Sequence, residues 1–239
     1  MLDWFQMDRY TRKQLKSDKF AQEVGQTFEF VTAHRTDLIR YGAAALAAIL
    51  IAGGIYFYHR HAVSVREEAL AQALRIEDAK ISPTPQPPNM TFATQQEQEA
   101  AWNKAFSDLA ANDRGTQEGA IAGIYMGGRL AEKGKVSEAE KILKDVVDSA
   151  PKEYAALARV SLAQIYAGQG NTKEAQSLMQ QVIDHPTAMV SKEEAQIQLA
   201  EMLARTDPAA ARKILDPLRA SRAAVSRAAI TAYGSLPQN

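Results

Sequence analysis

The chain has 239 residues, room for one ordinary globular domain with accessory segments. It carries 28 Lys and Arg against 28 Asp and Glu, so no overall field recruits nucleic acid or an acidic substrate. Cysteine is absent, which excludes disulfides, thiolate nucleophiles and cysteine-ligated zinc, and the abundance of alanine leans the chain towards helix.

Residues 1–37 read as a cytoplasmic tail. In it Phe20, Val24, Phe28 and Val31 share one helical face, either as an interfacial helix on the inner leaflet or as a short docked helix. Residues 38–59 read as one transmembrane helix. Its centre, YGAAALAAILIAGGIYFY from Tyr41 to Tyr58, holds no charged side chain. At a rise of about 1.5 Å per residue it reaches roughly 27 Å, close to the hydrocarbon thickness of a bilayer. Tyr41 at one end and Tyr56, Phe57 and Tyr58 at the other fit the aromatic belts of a spanning helix. Forty residues precede the run and no small-residue cleavage site follows it, which argues against a signal peptide. Seven Lys or Arg fall in residues 1–40, while Arg60, Arg66 and Arg75 follow the span. The excess in the short tail predicts that the tail stays inside and the larger part is exported. Ala44, Ala48 and Ala52 recur every four residues, as a stripe that lets a second helix approach in lipid or as filler.

Residues 60–115 read as a helical hairpin with a Pro-rich loop at 81–91. Val63, Leu70, Leu74 and Ile81 predict an apolar stripe on the first helix, and Trp102, Phe106 and Leu109 mark the second. Between them SPTPQPPNM places four prolines in six residues, which predicts an extended loop.

Residues 116–239 repeat themselves. GKVSEAEKIL begins at Gly134 and GNTKEAQSLM at Gly170, thirty-six residues later. Gly127 aligns with Ala163, Leu130 with Tyr166 and Ala139 with Ala175, while a third, worn copy contributes Ala200 and Ala211. This spacing resembles the tetratricopeptide repeat: two helices per unit, small residues at the crossing and a Gly turn between them. Gly127, Ala163 and Ala200 would let each first helix approach its partner, as Ala139, Ala175 and Ala211 would from the second. Leu130 and Tyr166 would fill the gap, and Gly134 and Gly170 would stop the first helices in the left-handed conformation. A final helix from about Ala220 to Tyr233 closes the stack. The expected fold is all-α, a tetratricopeptide-like helical solenoid preceded by one transmembrane helix.

Catalytic chemistry is not indicated. His59 and His61 lack a third ligand, GIYMGG has the wrong glycine spacing for a dinucleotide loop, and no Walker loop, nucleophile elbow or HExxH occurs. The expectation is a protein that is not an enzyme, with no cofactor, no metal, no nucleic acid and no small-molecule substrate. Solenoids act through the face lined by the first helix of each pair. Here that face would present Ile121, Ile124, Tyr125 and Gly128, then Leu157, Val160, Ser161 and Gln164, then Ile197 and Glu201. Such an apolar groove suits a hydrophobic partner segment, or is filled by the protein's own helices. Six Lys or Arg from Arg205 onward (Arg205, Arg212, Lys213, Arg219, Arg222, Arg227) face two acids, a basic cap for an acidic partner or headgroups, or a solvated surface.

Together, the tail, the span, the Pro-interrupted hairpin and GTQEGAIAGIYMGGRLAEKGKVSEAEKIL resemble the ancillary-subunit family of the bacterial SecYEG translocon, the YfgM-like proteins. The most specific parts are Gly115-Thr116-Gln117 and the turn of Gly134, Glu138 and Ala139. The resemblance implies a single-pass protein of the bacterial inner membrane with a periplasmic domain, linking the translocon to periplasmic chaperones or exported chains. The longer tail, the prolines at 83–88 and the worn third repeat depart from the family pattern. A scaffold for another envelope process, such as cytochrome maturation, cell-wall construction or outer-membrane biogenesis, is the alternative.

Overall fold

The computed structural model describes residues 35–84, 87, 90–220 and 225–237. Phe20, Val24, Phe28 and Val31, and with them the expected tail helix, lie outside the described residues, as does Arg222. The chain divides into two units, Met1–Ala62 and Val63–Asn239.

In the first unit the described residues belong to helix α1, Arg35–Glu77, which runs on into the second. Its apolar stretch is long and apolar enough to cross a membrane by length and composition, and none of it is buried. Ala44, Ala48 and Ala52 are exposed along it. The helix continues without interruption past the span. No Gly or Pro stands between His59 and Glu77, so nothing interrupts the i to i−4 ladder.

The second unit is built of helix pairs. The continuation of α1 is followed by α2 (Gln95–Asn112), α3 (Gln117–Glu132), α4 (Val136–Ser149), α5 (Lys152–Gly168), α6 (Thr172–Asp184), α7 (Lys192–Leu203), α8 (Pro208–Arg219) and α9 (Val225–Gly234). The connection between α1 and α2 is more than an extended loop. Lys80–Ile81 (β1) and Thr91–Phe92 (β2) pair in parallel, Lys80 with Thr91 and Ile81 with Phe92.

The helix starts follow local chemistry. Thr94 Oγ1 accepts from Glu97 N, and Glu97 Oε2 in turn accepts from Ala93 N, both at 3.2 Å. Thr116, Ser191 and Asp207 cap α3, α7 and α8 through their side-chain oxygens. The stops of α3 and α5 are a repeated device. Gly134 and Gly170 take φ of 75° and 81°, and the next residues, Lys135 and Asn171, each donate at 2.8 Å to the carbonyls of Leu130 and Tyr166. This is the Schellman geometry, which satisfies end carbonyls and needs a left-handed residue.

Three core clusters result. The first holds Ala73, Trp102, Phe106, Leu109 and Ala122, with Ala69, Leu70 and Leu74 half-buried against it. Val63 and Ile81, expected on the same stripe, are instead 37% and 48% exposed. The buried stripe is the smaller one centred on Ala73, which packs beneath Trp102 and Phe106. The second cluster holds Ala120, Leu143, Val146, Tyr154, Ala158 and Leu162. The third and largest runs from Ala156 and Val160 to Leu236 and includes Ala163, Ala175, Ala200 and Ala211. Leu157, Tyr166 and Leu178 pack against both the second and the third.

Small residues set the approach of α3 to α4. A Cβ on Gly127 would lie 2.6 Å from Leu143 Cγ, and one on Gly123 would lie 2.4 Å from Val146 Cγ2. Ala139 is fully buried and Leu130 half-buried in the same pair. An aromatic run adds to the joint between α2 and α3. Trp102 stacks on Phe106 with centroids 4.2 Å apart, Phe106 meets Tyr125 at 5.5 Å, and the Arg129 guanidinium lies 4.2 Å over Trp102.

Candidate interaction surface

The first helices of successive pairs, α3, α5 and α7, neighbour one another. Gly128, Gln164 and Glu201 occupy equivalent places on them, and all three are exposed. Tyr125, Ser161 and Gln198 form a second equivalent row, with Tyr125 43% exposed and the other two half-buried. Ile121, Ile124 and Leu157 are half-buried against the second cluster. Val160 and Ile197 lie deeper than the rest of the row. They are 7% and 8% exposed within the largest cluster, beside residues of α6, α7, α8 and α9. Residues of the later helices cover that edge of the stripe, while Ile121, Ile124 and Leu157 stay partly exposed beside Gly128, Gln164 and Glu201.

Two clefts follow that row. One of about 460 Å³ lies between α3 and α5 and is lined by Gly128, Glu132, Ser161 and Gln164. The other, of about 240 Å³, lies between α5 and α7 and is lined by Gln164, Gln198 and Glu201. Gln164 belongs to both.

A third and larger cleft, of about 650 Å³, has no counterpart in the sequence reading. It lies between α2 and α4 over a floor of Gly119, Ala120, Gly123 and Met126 from α3. Its rim is tied by Arg114, whose Nε and Nη2 donate to Asp145 at 2.7 to 3.0 Å. The hydrogen bonds and charge of this pair raise the arginine pKa and lower that of the carboxyl.

Among the described residues no group of three or more His, Cys, Asp or Glu is placed to hold a metal ion. Glu118 is a buried carboxylate, 4% exposed, and meets Arg66 of α1 at 3.4 Å. It stands in the first turn of α3, where the helix dipole favours a negative charge. This is a structural tie within the second unit rather than a reactive centre.

Residues 38–193 match the model of the tetratricopeptide repeat-like domain, well over half of the chain. The chain belongs to that family. The match begins inside α1 and ends in the first turn of α7, so most of the third, worn helix pair and all of α9 lie beyond it. Neither the curated proteins nor the solved structures give a match. A tetratricopeptide-like stack is an interaction scaffold, since each pair contacts only its neighbours and the stack presents extended faces to other proteins.

Proposed function

We propose that this protein is a membrane-anchored interaction module, an ancillary subunit of the translocon that links export across the bacterial inner membrane to periplasmic chaperones. Residues 38–59 cross the membrane once, 1–37 remain in the cytoplasm, and 60–115 with 116–239 work in the periplasm. The observation that carries this reading is α1. One helix bears the uncharged run from Tyr41 to Tyr58, none of it buried, and also Ala73 in the core with Leu70 and Leu74 half-buried beside it. A helix-pair stack attached without a break to an apolar stretch suits a protein that meets partners at a membrane surface. The resemblance at Gly115-Thr116-Gln117 supplies the translocon as the partner, and Thr116 there caps α3 through Gly119 N at 3.2 Å.

Affinity capture of the full chain from detergent-solubilised membranes, read by mass spectrometry, tests the assignment. Translocon subunits and periplasmic chaperones are expected to dominate. Dominance of cytochrome-maturation, cell-wall or outer-membrane assembly proteins would replace it with the scaffold reading. Orientation has its own test: a reporter active only in the periplasm, fused after Asn239, is expected to work. Activity of a cytoplasmic reporter in its place would overturn the export claim.

A further inference from the structure

Helix α9 takes the place of a first helix in the stack. It neighbours α7 and α8 as α7 neighbours α5 and α6. A shift of thirty-three residues sets Ala232 and Leu236 on Leu199 and Leu203, and all four are buried. The same shift sets Ile230 on Ile197, which itself follows Val160 by thirty-seven residues. Burial breaks off at the last member of that series. Val160 and Ile197 lie buried in a cluster that takes in Leu215 of α8 and Ala229 of α9 from the later helices, whereas Ile230 is 54% exposed. Among the described residues no helix follows α9 to cover it.

A helix that only closes a stack presents a polar outer face. The face of α9 turned away from Ala229 and Ala232 presents Arg227, Ile230 and Thr231, all exposed. Arg227 lies three residues before Ile230, on the same side of the helix. Arg219 of α8 is engaged by Asp216 and by the Tyr233 ring, 3.7 Å below its guanidinium. From Pro217 to Asn239 the sequence holds three Arg and no Asp or Glu, so Arg227 has no acidic neighbour along this stretch. Two such faces would bring Arg227 against Arg227, which disfavours a second copy and favours a surface carrying Asp or Glu. A helix suits the place better than an extended segment. Helices cover Val160 and Ile197 in the earlier pairs, and the backbone of α9 is already paired within itself.

We infer that α9 accepts a helix from another protein, one with an apolar stripe that covers Ile230 and an Asp or Glu on its flank that meets Arg227. The added helix continues the stack, as the later helices continue it past Ile197. The inference rests on the interaction-module reading and not on the translocon as partner.

The test uses the full chain in detergent and two fluorescein-labelled amphipathic peptides of about eighteen residues, long enough to form a helix. Both carry the same stripe of Leu and Ala, one flanked by Glu and the other by Lys. Fluorescence anisotropy is expected to show the Glu peptide binding about tenfold more tightly than the Lys peptide. Ile230→Glu is expected to weaken the Glu peptide about tenfold while leaving the thermal melt by circular dichroism in place, because the side chain is exposed. Should that chain melt early, Ile230→Ser carries the same expectation. Arg227→Gln is expected to erase the preference for Glu. Equal binding of the two peptides, or full binding by a folded Ile230 variant, overturns the proposal, since the peptides then sit elsewhere. A dimer in sedimentation that Ile230→Glu disperses overturns it too, by giving the face to a second copy. If neither peptide binds while the chain still captures membrane partners, the proposal falls and the interaction-module reading stands. If no partner is captured either, both fall.

Discussion

The hydroxyl of Tyr166 on α5 donates to Glu140 Oε1 on α4 at 2.7 Å, joining the first two repeats outside their apolar contact. Lys144 pairs with the same carboxylate and its Nζ lies 5.9 Å from the centre of the Tyr166 ring. The hydrogen bond from Lys144, followed by that from Tyr166, holds the Glu140 carboxyl below its ordinary value. Burial, with the bond to Glu140 second, pushes the Tyr166 phenol up.

A pH dependence follows from the direction of the Glu140 shift. A carboxyl lowered in the folded state adds stability that is present above its unfolded pKa and fades as pH falls through the folded value. Tyr166→Phe removes one of the two bonds, at an expected cost of about 0.5–1.5 kcal/mol near neutrality. The lower end is expected, because the Glu140 side chain is 30% exposed. Urea titrations at pH 7 and pH 3 should show the gap between wild type and variant narrowing in acid. A gap of the same size at both pH values would mean that the hydroxyl does not act through the ionised carboxylate.

Adjacent glycines are expected to respond with opposite signs. Gly127→Ala drives a methyl group into Leu143, which is fully buried. Overpacking of this kind costs about 1–3 kcal/mol, more than the ~1 kcal/mol gained in helix propensity. Gly128→Ala meets nothing, so the propensity gain stands alone and the melting temperature rises. Two melting curves against wild type check the pair; a fall for both, or a rise for both, contradicts the geometry.

Ala175 is 1% exposed in the largest cluster. Ala175→Leu is expected to cost about 1–3 kcal/mol through the same overpacking, a sizeable part of an ordinary domain's stability of ~5–15 kcal/mol. An unchanged melt would mean that α6 can shift to make room.

Arg66→Met leaves the Glu118 carboxylate buried without its ion partner. The loss is expected at about 1–3 kcal/mol, the cost of stranding a buried polar group. The double variant with Glu118→Gln should recover part of it, because the stranded charge rather than the missing attraction dominates. Chemical denaturation of the four corners of this cycle gives the coupling directly, and strict additivity would show the pair to be independent.

The pair-by-pair organisation was legible in the sequence because its causes are local. A left-handed residue and a run of small residues leave the same mark wherever they recur, and Gly134 and Gly170 end their helices by the same two hydrogen bonds. What escaped depends on neighbours far along the chain. Val160 and Ile124 occupy the same place in successive repeats, yet Val160 is buried and Ile124 half-exposed, since the largest cluster, rich in residues of the later helices, takes in the former. A periodic stripe marks which side of a helix is apolar but not how far the next layer covers it. The pairing of β1 with β2 escaped for a simpler reason. A cluster of prolines reads as a loop, although it does not forbid strands on either side of it.

The division of the core has a consequence for how the second unit opens. Leu157, Tyr166 and Leu178 touch two clusters at once, so the second and third are bound to lose their packing together. Among the described residues the cluster of Ala73, Trp102 and Phe106 shares none with them, and it and the second cluster draw on different residues of α3, Ala122 and Met126 against Ala120 and Ile124. Native-state hydrogen exchange should therefore resolve two cooperative blocks. Amides of α2 are expected to exchange by a transition of their own, while those of α4 to α6 exchange in a common one.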